Sequence, residues 1–314
     1  MQLKAQVEYF GRALVEKGAT DPNLVVLDAD VSASTKTGFF REAYPNRFIQ
    51  IGISEQDLVG VASGLAVSGK TPVAAAFATF IVGRAWEQVL NTVARQNLNV
   101  KIVGTHSGLS PSADGESHQS IADIAAVRII PNMSVVVPAD AAAAGCLTRE
   151  MIDRRGPVYM RLSRGATPVV YPDDVELRIG RAETLSEGSD VAIIAAGNMV
   201  HVALQAAESL RGDGVEAKVV DIHTVKPLDA SAVIESAEET GAVVTVEEHS
   251  VIGGLGGAVS EILSENYPTP LRRVGIMDRF GTSSRNYQRL LERYGLTPAA
   301  VAEAAKQVLE AKKK

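Results

Sequence analysis

Short apolar runs alternate with amphipathic stretches along most of this chain. Leu58, Val61, Ala62, Leu65 and Ala66 recur at the three-to-four spacing of a helix that Gly69 closes, and the run before them, 47–53, reads as a strand. The same alternation predicts strands near 24–27, 72–76, 100–104, 135–137 and 158–162, with helices over 4–17, 55–68, 84–95, 121–127 and 139–153. From 165 to 174 the pattern dissolves into Gly, Pro and Asp, as a linker would. It then restarts, with strands near 190–195, 217–222, 242–246 and 271–275 and helices over 200–211, 230–239, 255–265 and 287–293. Thr297 and Pro298 open a last helix, and Lys312 to Lys314 read as a solvated tail. Strands alternating with helices imply α/β architecture in two domains, each an open, mostly parallel sheet with helices on both faces. The expected boundaries are 1–168, a linker over 169–188, and 189–314.

Composition narrows the function. The 314 residues are 46% hydrophobic and 22% charged, with net charge −6, so an extended nucleic-acid or anionic-membrane surface is not expected. A local cluster of Arg and His still suits phosphorylated small molecules. The longest strongly apolar run, 72–83, is too short to span a bilayer, and the first residues lack a signal-peptide core. One cysteine, Cys146, lies in an alanine-rich helical run and reads as a small core residue, so the chain is expected to be cytoplasmic and without disulfides.

Three stretches bear polar chemistry. Ser54 reads as a helix N-cap and forms a capping box with Asp57, which places Glu55 in the first helical turn at the carboxyl end of a strand. From these residues alone Glu55 either complements the helix dipole or serves a ligand. The connection after the strand at 100–104 holds two of the five histidines, His106 and His118, with Asp114 between them. Such a loop either performs general acid–base work on a polyol or is simply solvated, and its spacing does not suit a metal. Phe77 and Phe80 are either core or an aromatic wall, and Arg161 and Arg164 either grip a phosphate or form ordinary ion pairs.

Together these stretches resemble the carboxyl-terminal half of transketolase over nearly the whole chain. The resemblance rests on Gly52-Ile-Ser-Glu55-Gln, Thr105-His106, Asp114-Gly-x-x-His118-Gln and Leu162-Ser-Arg164, then on Val220-Asp-Ile-His-Thr-Val-Lys-Pro-Leu-Asp229, Val246-Glu-Glu-His249 and Asp278-Arg-Phe-Gly281. It implies a pyrimidine-binding domain followed by a transketolase C-terminal domain, using thiamine diphosphate. The Mg2+ and the cofactor's diphosphate would be held by a separate N-terminal subunit in a heterotetramer of two plus two. Gly212-Asp213-Gly214 has the Gly-Asp-Gly form of a diphosphate site, but it lies between a helix and a strand and lacks downstream paired asparagines, so a turn is expected there. Gly253 to Gly257 resembles a phosphate cradle, or packs closely against Glu247 to His249.

The roles implied for the residues are specific. Glu55 would hydrogen-bond N1′ of the aminopyrimidine, Phe77 and Phe80 would stack on that ring, and His118 would assist proton transfer. His106 and Arg164 would bind the phosphate or hydroxyls of a sugar phosphate, Asp114 an aldose hydroxyl, and Lys36 would replace an arginine of the family's upstream segment. The implied reaction is two-carbon ketol transfer from a ketose phosphate to an aldose phosphate, in the pentose phosphate pathway or a related one. Two departures stand out: Gln56 follows Glu55 as in deoxyxylulose-phosphate synthases, and Gly83 or its neighbour occupies a position where an aromatic can complete the pyrimidine pocket. A deoxyxylulose-phosphate-synthase-like subunit, a 2-oxoacid dehydrogenase β-like subunit and a non-catalytic partner-binding half are the alternatives.

Overall fold

The computed structural model describes residues 2–312. The first half runs β1 (Leu3–Ala5), α1 (Gln6–Thr20), β2 (Leu24–Asp28), α2 (Ser32–Thr35), α3 (Gly38–Ala43), β3 (Phe48–Gln50), α4 (Glu55–Val67), β4 (Thr71–Phe77), α5 (Ala78–Gly83), β5 (Lys101–Thr105), α6 (Asp123–Arg128), β6 (Ser134–Val136), α7 (Ala141–Asp153), β7 (Val158–Arg161) and β8 (Ala166–Pro168). The second runs β9 (Glu183–Ser186), β10 (Val191–Ala195), α8 (Met199–Gly212), β11 (Ala217–Asp221), β12 (Thr224–Lys226), α9 (Ala230–Thr240), β13 (Val243–Ser250), α10 (Leu255–Asn266), β14 (Leu271–Ile276), α11 (Tyr287–Arg293) and α12 (Pro298–Lys312).

Strands of the first half form a sheet in the order β12-β6-β7-β5-β4-β2-β3, parallel throughout except for β12, and the second sheet has the order β14-β13-β10-β11-β9 with β9 antiparallel. Both faces of each are covered, which is why the strands read as unbroken apolar runs. Side chains alternate across the pleat: Val26, Ala75, Val103 and Met160 enter one core, while Leu27, Ala76, Ile102 and Tyr159 enter the other. The two α/β units with mostly parallel sheets are thus as expected.

Where the structure differs, the cause is local. The helix expected at 84–95 is two pieces: α5 starts directly after Phe77, and a wider helical turn at Gln88–Ala94 follows a break at Arg84. Residues 72–76 are buried and α5 is apolar apart from Thr79, so neither leaves a polar face to mark the join. Ser54 does occupy the N-cap of α4, but its side chain makes no capping hydrogen bond, so there is no capping box. The segment 30–37 folds as α2 and a turn around Asp28, whose buried carboxylate accepts from Val31 N and from the hydroxyls of Thr35 and Thr37. Cys146 is half-buried, packed against the edge of the core, and its Sγ accepts from Leu177 N in the connector. Gly212 ends α8 and Gly214 has φ +78°, the helix-terminal turn expected there. Lys312 is the last residue of α12 and donates to the Thr240 carbonyl; Lys313 and Lys314 lie outside the described residues. No helix among the described residues is long and apolar enough to cross a membrane.

Two features join the halves. β12 leaves the second unit to pair with β6 at the edge of the first sheet. Asp140, the N-cap of α7, accepts from Ala143 N at 2.8 Å with one oxygen, and with the other from Val170 N at 2.7 Å and Tyr171 N at 2.8 Å. Tyr171 then donates to Asp221 at the end of β11. Within the stretch 169–188, expected to connect the units, Tyr171, Leu177 and Ile179 are buried and β9 joins the second sheet. Asp140→Ala strands two buried amides as well as losing the helix cap. The expected outcome is a loss of about 3 kcal/mol or more in unfolding free energy, read from urea denaturation, with little change in the slope.

Candidate active site

The carboxyl ends of β3, β2, β4, β5 and β7 lie along one sheet edge, the side on which open parallel sheets place their ligands. Glu55 is the first residue of α4 and only 3% exposed. Its Oε2 accepts from Arg84 Nη1 at 3.1 Å, and among the described residues its other oxygen accepts no protein hydrogen bond. The amino end of α4 and the guanidinium compensate the burial of this charge. Arg84 also lies over the Phe80 ring, 5.3 Å from its centroid. Sequence reading missed Arg84, although its place one helical turn after Phe80 was a usable signal.

Aromatic contacts extend from there to the histidine loop. Phe77, the last residue of β4, lies 6.4 Å from Phe80 and 4.2 Å from the His106 ring, and Phe80 meets His118 edge-on at 5.2 Å between centroids. Both phenylalanines are half-buried, and each therefore keeps some accessible surface.

His106 follows β5 in the left-handed region, with φ 57°, and Gly108 repeats that conformation at φ 60°. A non-glycine residue held there stores strain that its surroundings must hold in place. Here Ser107 donates both its amide and its hydroxyl to the Leu162 carbonyl, and the Arg164 amide donates to Ser110 Oγ. Arg164 Nη1 pairs with Asp114 Oδ2 at 2.6 Å on the open side of the site. Burial pushes the His106 imidazole down to about 4; the Arg164 charge and His118 act in the same direction, and Asp114 opposes them. His106 is therefore neutral near pH 7, with one N–H and one lone pair. His118 is half-buried and its Nδ1 is engaged with Ser117 Oγ at 3.0 Å.

The fold thus gathers Glu55, Phe77, Phe80, His106, Asp114, His118 and Arg164 at one sheet edge. Lys36 follows β2 and ends α2. Its backbone lies against α1 at Gly11, where an added Cβ would come within 2.6 Å of the Lys36 carbonyl, and among the described residues its side chain makes no hydrogen bond. Arg161 does not form an arginine pair with Arg164: it is 5% exposed and bound to Asp123 at 2.8 Å. The glycines at 253–257 are no phosphate cradle either, because Glu247 already accepts from the amides of Leu255 and Gly256 at the head of α10. The second unit reaches the loop as well: Gln119 Nε2 donates to Thr282 O, and Ser284 N donates to Ser112 O. Single-sequence periodicity carries no signal for such contacts between distant segments.

Family models assign these elements. Residues 4–169 match the transketolase pyrimidine binding domain, and residues 180–301 match the transketolase C-terminal domain. The chain belongs to the transketolase family. A solved chain described as a split-gene transketolase in an inactive β4 tetramer superposes with TM-score 0.92 at 49% identity, covering 98% of this chain and 99% of its own. A 6-deoxy-6-sulfo-D-fructose transketolase subunit of Clostridium sp. is 43% identical over 95% of this chain and 92% of its own. One subunit of the apulose-4-phosphate transketolase of Phocaeicola vulgatus is 41% identical over 94% of this chain and 95% of its own. This transketolase-family chain is therefore similar in extent to subunits, rather than to single-chain enzymes.

Proton NMR of the histidine ring tests the electrostatics. His106 is expected to titrate with a midpoint near 4, and Arg164→Ala to raise that midpoint, because a nearby positive charge no longer opposes protonation. A midpoint near the ordinary 6.5 in the unaltered chain would contradict the burial described.

Proposed function

We propose that this chain is the carboxyl-terminal subunit of a two-chain, thiamine-diphosphate-dependent transketolase that moves a two-carbon ketol unit between sugar phosphates. The observation that carries the reading is Glu55, a buried carboxylate at a helix head with one oxygen accepting no hydrogen bond among the described residues, linked through Arg84 to the Phe80 ring and so to Phe77. The donor set suits an aminopyrimidine: an acceptor for a ring nitrogen, with apolar walls next to it. When bound, thiamine diphosphate supplies the nucleophilic carbon and the electron sink for breaking and forming the carbon–carbon bond.

The chain's own residues then divide the remaining work. Glu55 holds a proton at N1′ of the pyrimidine, and Phe77 and Phe80 keep water from that ring. Neutral His106, whose Nδ1 is engaged with Thr105 Oγ1 at 3.0 Å, meets a substrate hydroxyl through Nε2. Asp114 takes an aldose hydroxyl, while Arg164, half-exposed at the mouth, exchanges part of its pairing with Asp114 for the substrate's anionic end. A guanidinium grips phosphate or sulfonate equally well, in keeping with the different substrates in the relatives' names. His118 moves protons at the reacting hydroxyl through the ring nitrogen that Ser117 leaves free. A partner subunit supplies the diphosphate and Mg2+ sites, in a heterotetramer of two plus two. Relatives named as subunits support the existence of a partner chain.

The test is turnover of xylulose 5-phosphate and ribose 5-phosphate with thiamine diphosphate and Mg2+, with and without the partner. Activity is expected only in the mixture, and turnover by this chain alone would overturn the split site. In the assembled enzyme, Glu55→Gln is expected to lower kcat by about three orders of magnitude, measured under saturating cofactor.

A further inference from the structure

One hydrogen-bond chain crosses the junction of the two units and ends on both segments that line the site. Glu248, in β13, is 4% exposed and accepts from Leu109 N at 2.7 Å through Oε1. Its Oε2 accepts from the Tyr287 hydroxyl at 2.7 Å and from Asn198 Nδ2 at 3.4 Å. Asn198 also donates to the Tyr287 hydroxyl, and its own Oδ1 accepts from Gln6 Nε2 at 3.1 Å. Gln6 in turn accepts from Ser163 N at 2.8 Å. One end of the chain is thus an amide three residues after His106, and the other is the amide just before Arg164.

The geometry points to Glu248, Tyr287 and Asn198 as positioning residues that register the His106 segment against the Arg164 segment. This rests on the transketolase reading for its kinetic consequence. Contact at the loop is close enough to exclude slack: a Cβ on Gly108 would lie 2.6 Å from the Glu248 carboxyl carbon. Every protein group at the two carboxylate oxygens is a donor, so the ionised form matches the site and a protonated one would face donors only. Burial pushes the Glu248 carboxyl up, and Arg161, Tyr287, the Leu109 amide and Asn198 pull against that shift. Arg161 adds a further hold, donating to the Glu248 carbonyl at 2.9 Å. Held from the second unit in this way, the left-handed turn at His106 and Gly108 has no room to relax, so the distance between imidazole and guanidinium is set by a domain that supplies neither.

The test uses the assembled two-chain enzyme carrying Glu248→Gln or Tyr287→Phe, the second removing only one hydroxyl in case the first does not assemble. The expected result is a KM for the phosphorylated acceptor raised about tenfold with kcat within about twofold. Amide hydrogen exchange of this chain is expected to quicken about tenfold at Leu109 and across 106–120, with the sheet strands unchanged. Unchanged exchange in the loop, or a rise spread evenly over the chain, overturns the proposal. Because exchange is read without turnover, an enzyme that transfers no ketol unit would refute the functional reading while leaving this one decided on its own.

Discussion

Arg161 cannot be buried at the domain junction unless its N–H groups find oxygens. It reaches Asp123 at the start of α6, the Ser120 carbonyl at the end of the histidine loop, and the Glu248 carbonyl in the second unit. Asp123 is in turn buried, with its carboxyl held below the usual range; burial itself works the other way, and it is Arg161, followed by His249 and Tyr159, that holds it down. Satisfying this one guanidinium therefore fixes three segments relative to one another. The loop bearing Asp114 and His118 hangs between β5 before it and one of these fixed points, Ser120, after it. A buried ion pair of this kind is weak as a source of stability but strict in geometry, since removing either partner leaves the other charge uncompensated.

Much of this was legible from residue patterns. Parallel sheets buried on both faces print long apolar runs, and helix starts at strand ends print polar residues, so Glu55, His106 and Arg164 could be placed at one edge from the sequence alone. Capping chemistry was less readable: Ser54 has the residue type of a cap without its hydrogen bond, because residue identity does not fix side-chain direction. Elements of three residues, such as β1, β8 and β12, are too short to print a period. Arg161 and Arg164 are three residues apart and look equivalent in sequence, yet one is sealed in the junction and the other open to solvent. Only long-range packing separates them.

The site offers two carboxylates, two imidazoles and two guanidiniums, with Arg164 already paired with Asp114 and Arg84 with Glu55. The Arg164–Asp114 pair is open to solvent on both sides, where such pairs are worth little and exchange partners readily, whereas Glu55 is buried beneath its arginine. An anion arriving at Arg164 can therefore be met by rearranging an existing pair, without creating a new charge.

β12 carries a consequence for how this chain can be divided. It closes the outer edge of the first sheet although it belongs, in chain order, to the second unit. A fragment ending in the connector would leave β6 as a bare, apolar edge with its hydrogen-bonding groups unpaired, which is the usual template for chains to stack on one another. The seam in the sequence and the seam in the solid object are different places. Genetic dissection at the first would produce an adhesive fragment, and a modular reassortment of such enzymes has to carry both units together.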